Sequence, residues 1–178
     1  MNPIVVTILL LICASALLVH SQKPLTGSMV PNQDEVGFKI TPANYLDNNE
    51  KHLLKRHFPE IDRSSIRNRT AIVCKNQNLN TPIALYLLKT HTRSPFVVGT
   101  NLCVEQAYRH RGIGQMMVKL SEQWAKRHSK DVVIVKIPPS CRPSQKLFMG
   151  NGYRAPHQSF YPSKHDDLTL IKNSDDHI

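Results

Sequence analysis

The sequence is short of the residues that mark several specialised classes. Aromatic side chains make up only 6% of its 178 residues, with a single Trp. Its basic stretches therefore lack the interleaved stacking rings of a single-stranded nucleic-acid binder. Seven glycines and 12 prolines without a period exclude a collagen-like chain, and 40% apolar content excludes a wholly disordered one. Of four cysteines, one, Cys13, lies in the N-terminal apolar run. The remaining three, Cys74, Cys103 and Cys141, are an odd count that allows at most one internal disulfide, so no disulfide framework carries the fold, and their spacing matches no zinc-ligand pattern. Acidic residues are also scarce. Lys plus Arg is 23 against 13 for Asp plus Glu, a net charge of +10 with pI near 9.7. Such a balance favours anionic partners: phosphates, nucleotides, acidic molecules or anionic surfaces.

One long hydrophobic run is present. Ile4 to Val19 is almost uninterrupted, and Met1 to Ser21 contains no Lys, Arg, Asp or Glu. As a helix it would reach about 24 Å, short of a roughly 30 Å hydrocarbon core. With Val19 and Ser21 placed before a cut, residues 1–21 read as a secretory signal peptide, the alternative being an uncleaved N-terminal anchor. The expected location is secreted, lumenal or periplasmic, with membrane contact through this segment alone. Residues 22–35, with Pro24, Gly27 and Pro31, read as a linker. Residues 36–173 form one domain, and 174–178 a polar tail. Asn68-Arg69-Thr70 is a glycosylation sequon, usable only in a eukaryotic secretory pathway.

Within the domain, Val36 to Ile40 suits a strand, with Thr41 as a helix cap and Pro42 at the first helical position. Short helices then extend to Pro59. Ala71 to Lys75 and Ile83 to Lys89 read as a hairpin, and Phe96 to Val104 as a strand with a bulge at Gly99. Arg111 to His128 carries Ile113, Met116, Met117, Leu120 and Trp124 at helical spacing. Val132 to Ile137 is a strand covered on both faces, Pro143 to Met149 a second helix, and Leu168 to Lys172 a last strand. Alternation of strand and helix from Phe96 to Met149 implies a partly parallel sheet. The fold class is mixed α/β, a central mixed sheet of six or seven strands flanked by helices.

The chemistry concentrates where the Phe96 strand meets its helix. From Leu102 to Gly114 the chain reads strand, short loop and helix start, with Gly112 and Gly114 at the turn and Arg109, His110 and Arg111 beside it. Glycines let the backbone approach a ligand closely. The first free amides of the helix carry a partial positive charge, so a pyrophosphate suits the turn. Without a ligand, the same residues make a tight strand-to-helix turn bearing surface arginines. The nine histidines show no metal-ligand spacing, and His52 and His57 read as surface groups. Lys51, Lys55, Arg56, Arg63, Arg67 and Arg69 form a basic stretch, either a solvated face or a means of recruiting an acidic acceptor.

Arg109, Gly112 and Gly114, preceded by Leu102 to Val104, resemble the signature of the Gcn5-related N-acetyltransferases (GNAT family), Gln or Arg, two residues, Gly, one residue, Gly or Ala. Cys141, Ser144, Leu147, Phe148 and Gly152-Tyr153 continue the resemblance in the register of the family's Asn-x-x-Ala-x-x-Leu-Tyr and Gly-Phe. The resemblance implies acetyl-coenzyme A as co-substrate and no metal. Pantetheine would pair with Leu102, Cys103 and Val104. The pyrophosphate would lie on the amides of Arg111, Gly112, Ile113, Gly114 and Gln115, with Arg109 and His110 also on the cofactor side, and Cys141, Ser144 and Phe148 would lie nearby. An amine acceptor, a small acidic molecule or a protein, would attack the thioester directly. Two departures stand out. Phe148 occupies the place of the family's proton-donating Tyr, and Cys141 that of its Asn. The expected substitutes are Tyr153 as acid and Glu105 as base, with water relays through His91 or His110. A binding module that has lost catalysis is the alternative.

Overall fold

A computed structural model describes residues 36–90, 93–156 and 167–173. The expected signal segment, the linker, the tail and His91 lie outside the described residues. Six strands form one sheet in the order β1-β2-β3-β4-β5-β6: Val36–Pro42, Arg69–Asn76, Thr81–Thr90, Phe96–Val104, Val132–Ile137 and Leu168–Asn173. Neighbours are antiparallel except β4 and β5, the parallel pair joined through a helix. Helix α1 spans Asn48–His57, α2 Arg63–Ile66, α3 Ile113–Arg127 and α4 Arg142–Gly150. Among the described residues, no helix is long and apolar enough to cross a membrane.

The sheet is covered on both sides, which explains why Ala71 to Cys74 are buried without alternation. One cluster joins Ile72, Cys74, Tyr86 and Leu88 to Met117 and Val118 of α3 and Phe148 of α4. The other joins Ala71, Val73, Leu85, Leu87 and Cys103 to Leu53 and Leu54 of α1 and Ile66 of α2. Of the two adjacent methionines, Met117 is buried and Met116 exposed.

Two expectations are corrected. Strand β1 continues through Pro42, which caps a 3-10 turn at Ala43–Tyr45, so the first short helix begins one residue later than expected; α1 follows from Asn48, with Asp47 as its cap. The Asp47 carboxylate accepts from the Glu50 amide while Glu50 accepts from the Asp47 amide, each at 2.9 Å. This reciprocal cap satisfies two donors that helix geometry leaves unpaired. Glu50 is fully buried and compensated by Lys39 and Lys75 at 2.6 and 3.0 Å.

The β4 irregularity lies past Gly99. Leu87 pairs with Thr100 but Leu85 with Cys103, so β4 carries an extra residue opposite Tyr86. Asn101 absorbs it at φ 54°, the left-handed region that Asn tolerates. Gly99 itself stays paired with Leu88 and Val135. Its missing side chain makes room for Tyr86, whose hydroxyl would lie 1.8 Å from a β-carbon there.

Cys103 sits in the α1-side cluster, whereas Cys141 packs on the α3-side cluster, so the sheet divides the two thiols. The three described cysteines are free, and burial pushes the Cys74 and Cys103 thiols up to about 12.

Candidate functional site

The parallel ladder between β4 and β5 is short. It joins Phe96–Gly99 to Val132–Val135 and then stops. From Thr100 to Val104, β4 has no β5 partner, so the two strands splay apart at their C-terminal ends. Unpaired strand backbone facing a cleft can accept an extended ligand as an added strand. Leu102 and Val104 turn their side chains to the α3-side core, which fixes the strand's orientation at the opening.

Beyond β4 the loop ends at the N-terminus of α3. His110 and Gly112 both have positive φ, 60° and 78°. Gly112 caps α3 in the left-handed conformation, with no protein atom within 4 Å of where a β-carbon would stand. The first intrahelical bond runs from the Met116 amide to the Gly112 carbonyl. The six amides from His110 to Gln115 find no acceptor among the described residues. A row of free N–H groups at the positive end of a 15-residue helix is an anion seat with open space above it.

The flanking side chains divide their roles. Arg109 turns back, its Nε donating to the Val104 carbonyl at 3.0 Å and bracing the loop against the strand end. The Arg111 guanidinium stacks 5.3 Å above the Tyr108 ring. Gly114 serves packing rather than ligand approach. A β-carbon there would press on Leu147 of α4 at 3.3 Å, so the glycine lets α3 and α4 close on each other. Ile113 is buried, whereas Gln115 is exposed. At the start of α4 the Cys141 thiol lies 3.1 Å from the Ser144 hydroxyl, to which it donates. Phe148 is 3% exposed, its ring centroid 6.2 Å from that of Tyr86 and 5.1 Å from that of Tyr153.

Both expected acid–base groups are placed elsewhere by the fold. Tyr153 is fully buried, and its hydroxyl forms no hydrogen bond. Burial drives its proton affinity far above the usual phenol range, and buried Tyr86 and Glu122 push in the same direction. A phenol in that setting packs the core and does not protonate a leaving thiolate. Tyr153→Phe should therefore leave turnover unchanged. It should hold or raise stability by up to about 1 kcal/mol, because it removes a buried donor that lacks a partner. Thermal melts and steady-state rates check this, and a large loss of turnover would restore Tyr153 as the acid.

Glu105 lies past the end of β4. Its Oε1 accepts from Arg56 and lies 2.9 Å from His57 Nε2, both on α1. The carboxylate thus pins the last turn of α1 to the loop, and its ion pairs with Arg56 and His57 hold it there. His57, read from the sequence as a surface group, is part of this clip. Its only sequence signal is a histidine in the last turn of a helix. His110 is exposed in the loop and forms no side-chain hydrogen bond. Among the described residues no group of three potential metal ligands exists.

A family model described as Acetyltransferase (GNAT) family matches residues 40–153. No curated protein matches the chain. Solved structures with the same fold include an IAA acetyltransferase from Bacillus cereus, 16% identical, covering 78% of this chain and 99% of its own, with a TM-score of 0.63. An acetyltransferase from Bacillus subtilis in complex with CoA is 15% identical, covers 78% and 99%, and has a TM-score of 0.62. A GNAT family acetyltransferase from Elizabethkingia anophelis with acetyl-CoA bound is 16% identical, covers 79% and 99%, and has a TM-score of 0.61.

Proposed function

The chain belongs to the acetyltransferase (GNAT) family, and from that membership we propose that it transfers the acetyl group of acetyl-coenzyme A directly to an amine. The observation that carries this reading is the continuity of two features. Free strand backbone from Thr100 to Val104 leads into six free amides at the start of α3. The first suits the amide-bearing pantetheine arm, and the second suits the pyrophosphate. Two of the similar structures, from Bacillus subtilis and Elizabethkingia anophelis, hold CoA and acetyl-CoA respectively.

The direction of the cofactor follows from that order. With the pyrophosphate at His110 to Gln115 and pantetheine along Val104 and Leu102, the thioester end falls toward the Asn101 bulge. Glu105 then stands beside the pyrophosphate end, which agrees with its role as a clip for α1. Catalysis in this arrangement rests on holding a neutral amine against the thioester and on backbone amides that meet the developing oxyanion. Nitrogen attacks the carbonyl carbon, the C–S bond breaks, the ammonium proton passes to water, and the thiolate leaves.

The acceptor is an amine on an acidic small molecule or protein, in keeping with the net positive chain. The N-terminal segment 1–21 directs the protein out of the cytosol as a signal peptide, or holds it at a membrane as an anchor. Release of free thiol from acetyl-coenzyme A, followed across an array of primary amines, tests the transfer. The expected result is thiol release matched mole for mole by acetylated amine. Acetyl-coenzyme A binding without thiol release on any amine would leave a cofactor-binding module in its place.

A further inference from the structure

Arg69 opens β2 on the face that α1 and α2 cover, two residues before buried Ala71. Its side chain crosses to β4, where one nitrogen, Nη1, donates to Thr100 Oγ1 at 2.9 Å and to Asn101 Oδ1 at 3.1 Å. Those acceptors are the first β4 residue beyond the β5 ladder and the bulge residue itself. The guanidinium is thus aimed at the point where the splay begins. Both hydrogens of Nη1 are used. Nε and Nη2, the edge that forms a two-pronged fork, have no acceptor among the described residues.

The charge at this point is uncompensated. Arg69 forms no ion pair with a described carboxylate, and its two acceptors are neutral. Its partner across the β2–β3 ladder is Lys89, a second cation directly opposite and also without a described carboxylate. Like charges facing each other across a strand pair are destabilising, and a half-buried guanidinium is costly without a counter-charge. Partial burial pulls the Arg69 pKa below its ordinary value, with no nearby anion to raise it. A fixed fork beside a second cation matches the geometry of a carboxylate.

We propose that Arg69, assisted by Lys89, binds the carboxylate of the acceptor, so that the preferred substrates are amines that also carry a carboxylate. The inference rests on the transfer reading above and names the substrate class of that site. Nη1 is held by Thr100 and Asn101, Nε and Nη2 grip the carboxylate, and the amine is left to face the thioester end. Arg69 on this view selects and positions the acceptor and takes no part in the bond changes.

The test compares amino acids with their carboxamides as acceptors, on wild type, Arg69→Gln, Arg69→Lys and Lys89→Gln. Taking the acid-to-amide ratio of kcat/KM and dividing wild type by variant cancels the intrinsic difference in amine reactivity. Arg69→Gln should lower that ratio by about tenfold or more, through KM, which is the scale of hydrogen bonds to a charged group. Arg69→Lys should keep part of the preference, and the exposed Lys89→Gln should lower it less. Acetyl-coenzyme A affinity, measured in the same variants, should stay at the wild-type value and so report that the fold is intact. An acid-to-amide ratio unchanged by Arg69→Gln would overturn the proposal. If acetyl-coenzyme A binds but no amine turns over, the transfer reading fails by itself. N-acetyl amino acids and their amides are then titrated into the protein saturated with coenzyme A. Acid binding that is lost in Arg69→Gln sustains the proposal. Equal binding of acid and amide, or binding of neither, overturns it.

Discussion

Gly112→Glu should weaken acetyl-coenzyme A binding by at least about 100-fold, the scale of losing two charge-assisted hydrogen bonds. Two effects act together. The residue sits at φ 78°, where a side chain costs about 1–2 kcal/mol in backbone strain. The new carboxylate enters the open space above the free amides and repels the phosphate there. Gly112→Ala separates the two, because it carries the strain and the bulk without the charge. It should lower the melting temperature by a few degrees and weaken binding far less. Calorimetric titration of both variants measures the difference. Wild-type affinity in Gly112→Glu would remove the anion seat from the start of α3.

The second large effect concerns stability. Gly99→Ala should destabilise the domain by about 3 kcal/mol, the upper end of ordinary overpacking, and lower its melting temperature by about 10 °C. The added methyl would meet the Tyr86 hydroxyl at 1.8 Å, Tyr86 Cζ at 2.7 Å and Val135 Cγ1 at 3.1 Å. All three atoms belong to buried side chains that cannot step aside. Gly99 is also the last β4 residue paired with β5, so strain there reaches the root of the splay. Tyr86→Phe should recover part of the loss by removing the nearest atom while leaving Cζ in place. A double-mutant cycle by denaturant unfolding reads the coupling. Additive losses would mean that Tyr86 is not what fills the space over Gly99.

Local signals carried most of the fold. Helix α3 and strands β4 and β5 were legible because apolar period and glycine punctuation agree there, and each runs within two residues of its expected bounds. The same alternation implied a partly parallel sheet, and β4 and β5 are its parallel pair. What escaped the sequence were the pairings that only the folded chain makes. Gly99 suggested a bulge, but its neighbour Tyr86 is 13 residues away, and the left-handed residue is Asn101, which carries no glycine signal. The Thr41-Pro42 signal marked the Ala43–Tyr45 turn to within one residue, whereas the Asp47–Glu50 cap of α1, an acid followed three residues later by Glu, went unread.

At the site, the turn at His110 to Gln115 was legible and the acid–base groups were not. Tyr153 follows a Gly-rich turn and read as the substitute acid, but it is fully buried and its ring packs on Phe148. Glu105 read as a free carboxylate because its partners Arg56 and His57 lie 49 and 48 residues upstream. Arg69 was visible only as one of six cations in a basic stretch. What sets it apart is a pair of neutral acceptors on β4, 31 and 32 residues downstream.

The most direct measurement is the set of backbone amide shifts in a nitrogen-labelled sample of the chain as acetyl-coenzyme A is added. Cofactor seated in the splay predicts saturable shifts concentrated at Leu102 to Val104 and at His110 to Gln115. The largest should fall on Gly112, Ile113 and Gly114, whose amides have no acceptor among the described residues. Changes at β1 should be small, because that strand is the edge of the sheet on the far side of β2 and β3 from the β4–β5 opening. Saturable shifts centred elsewhere, or no shifts at millimolar cofactor, would contradict the assignment of this cleft as the acetyl-coenzyme A site.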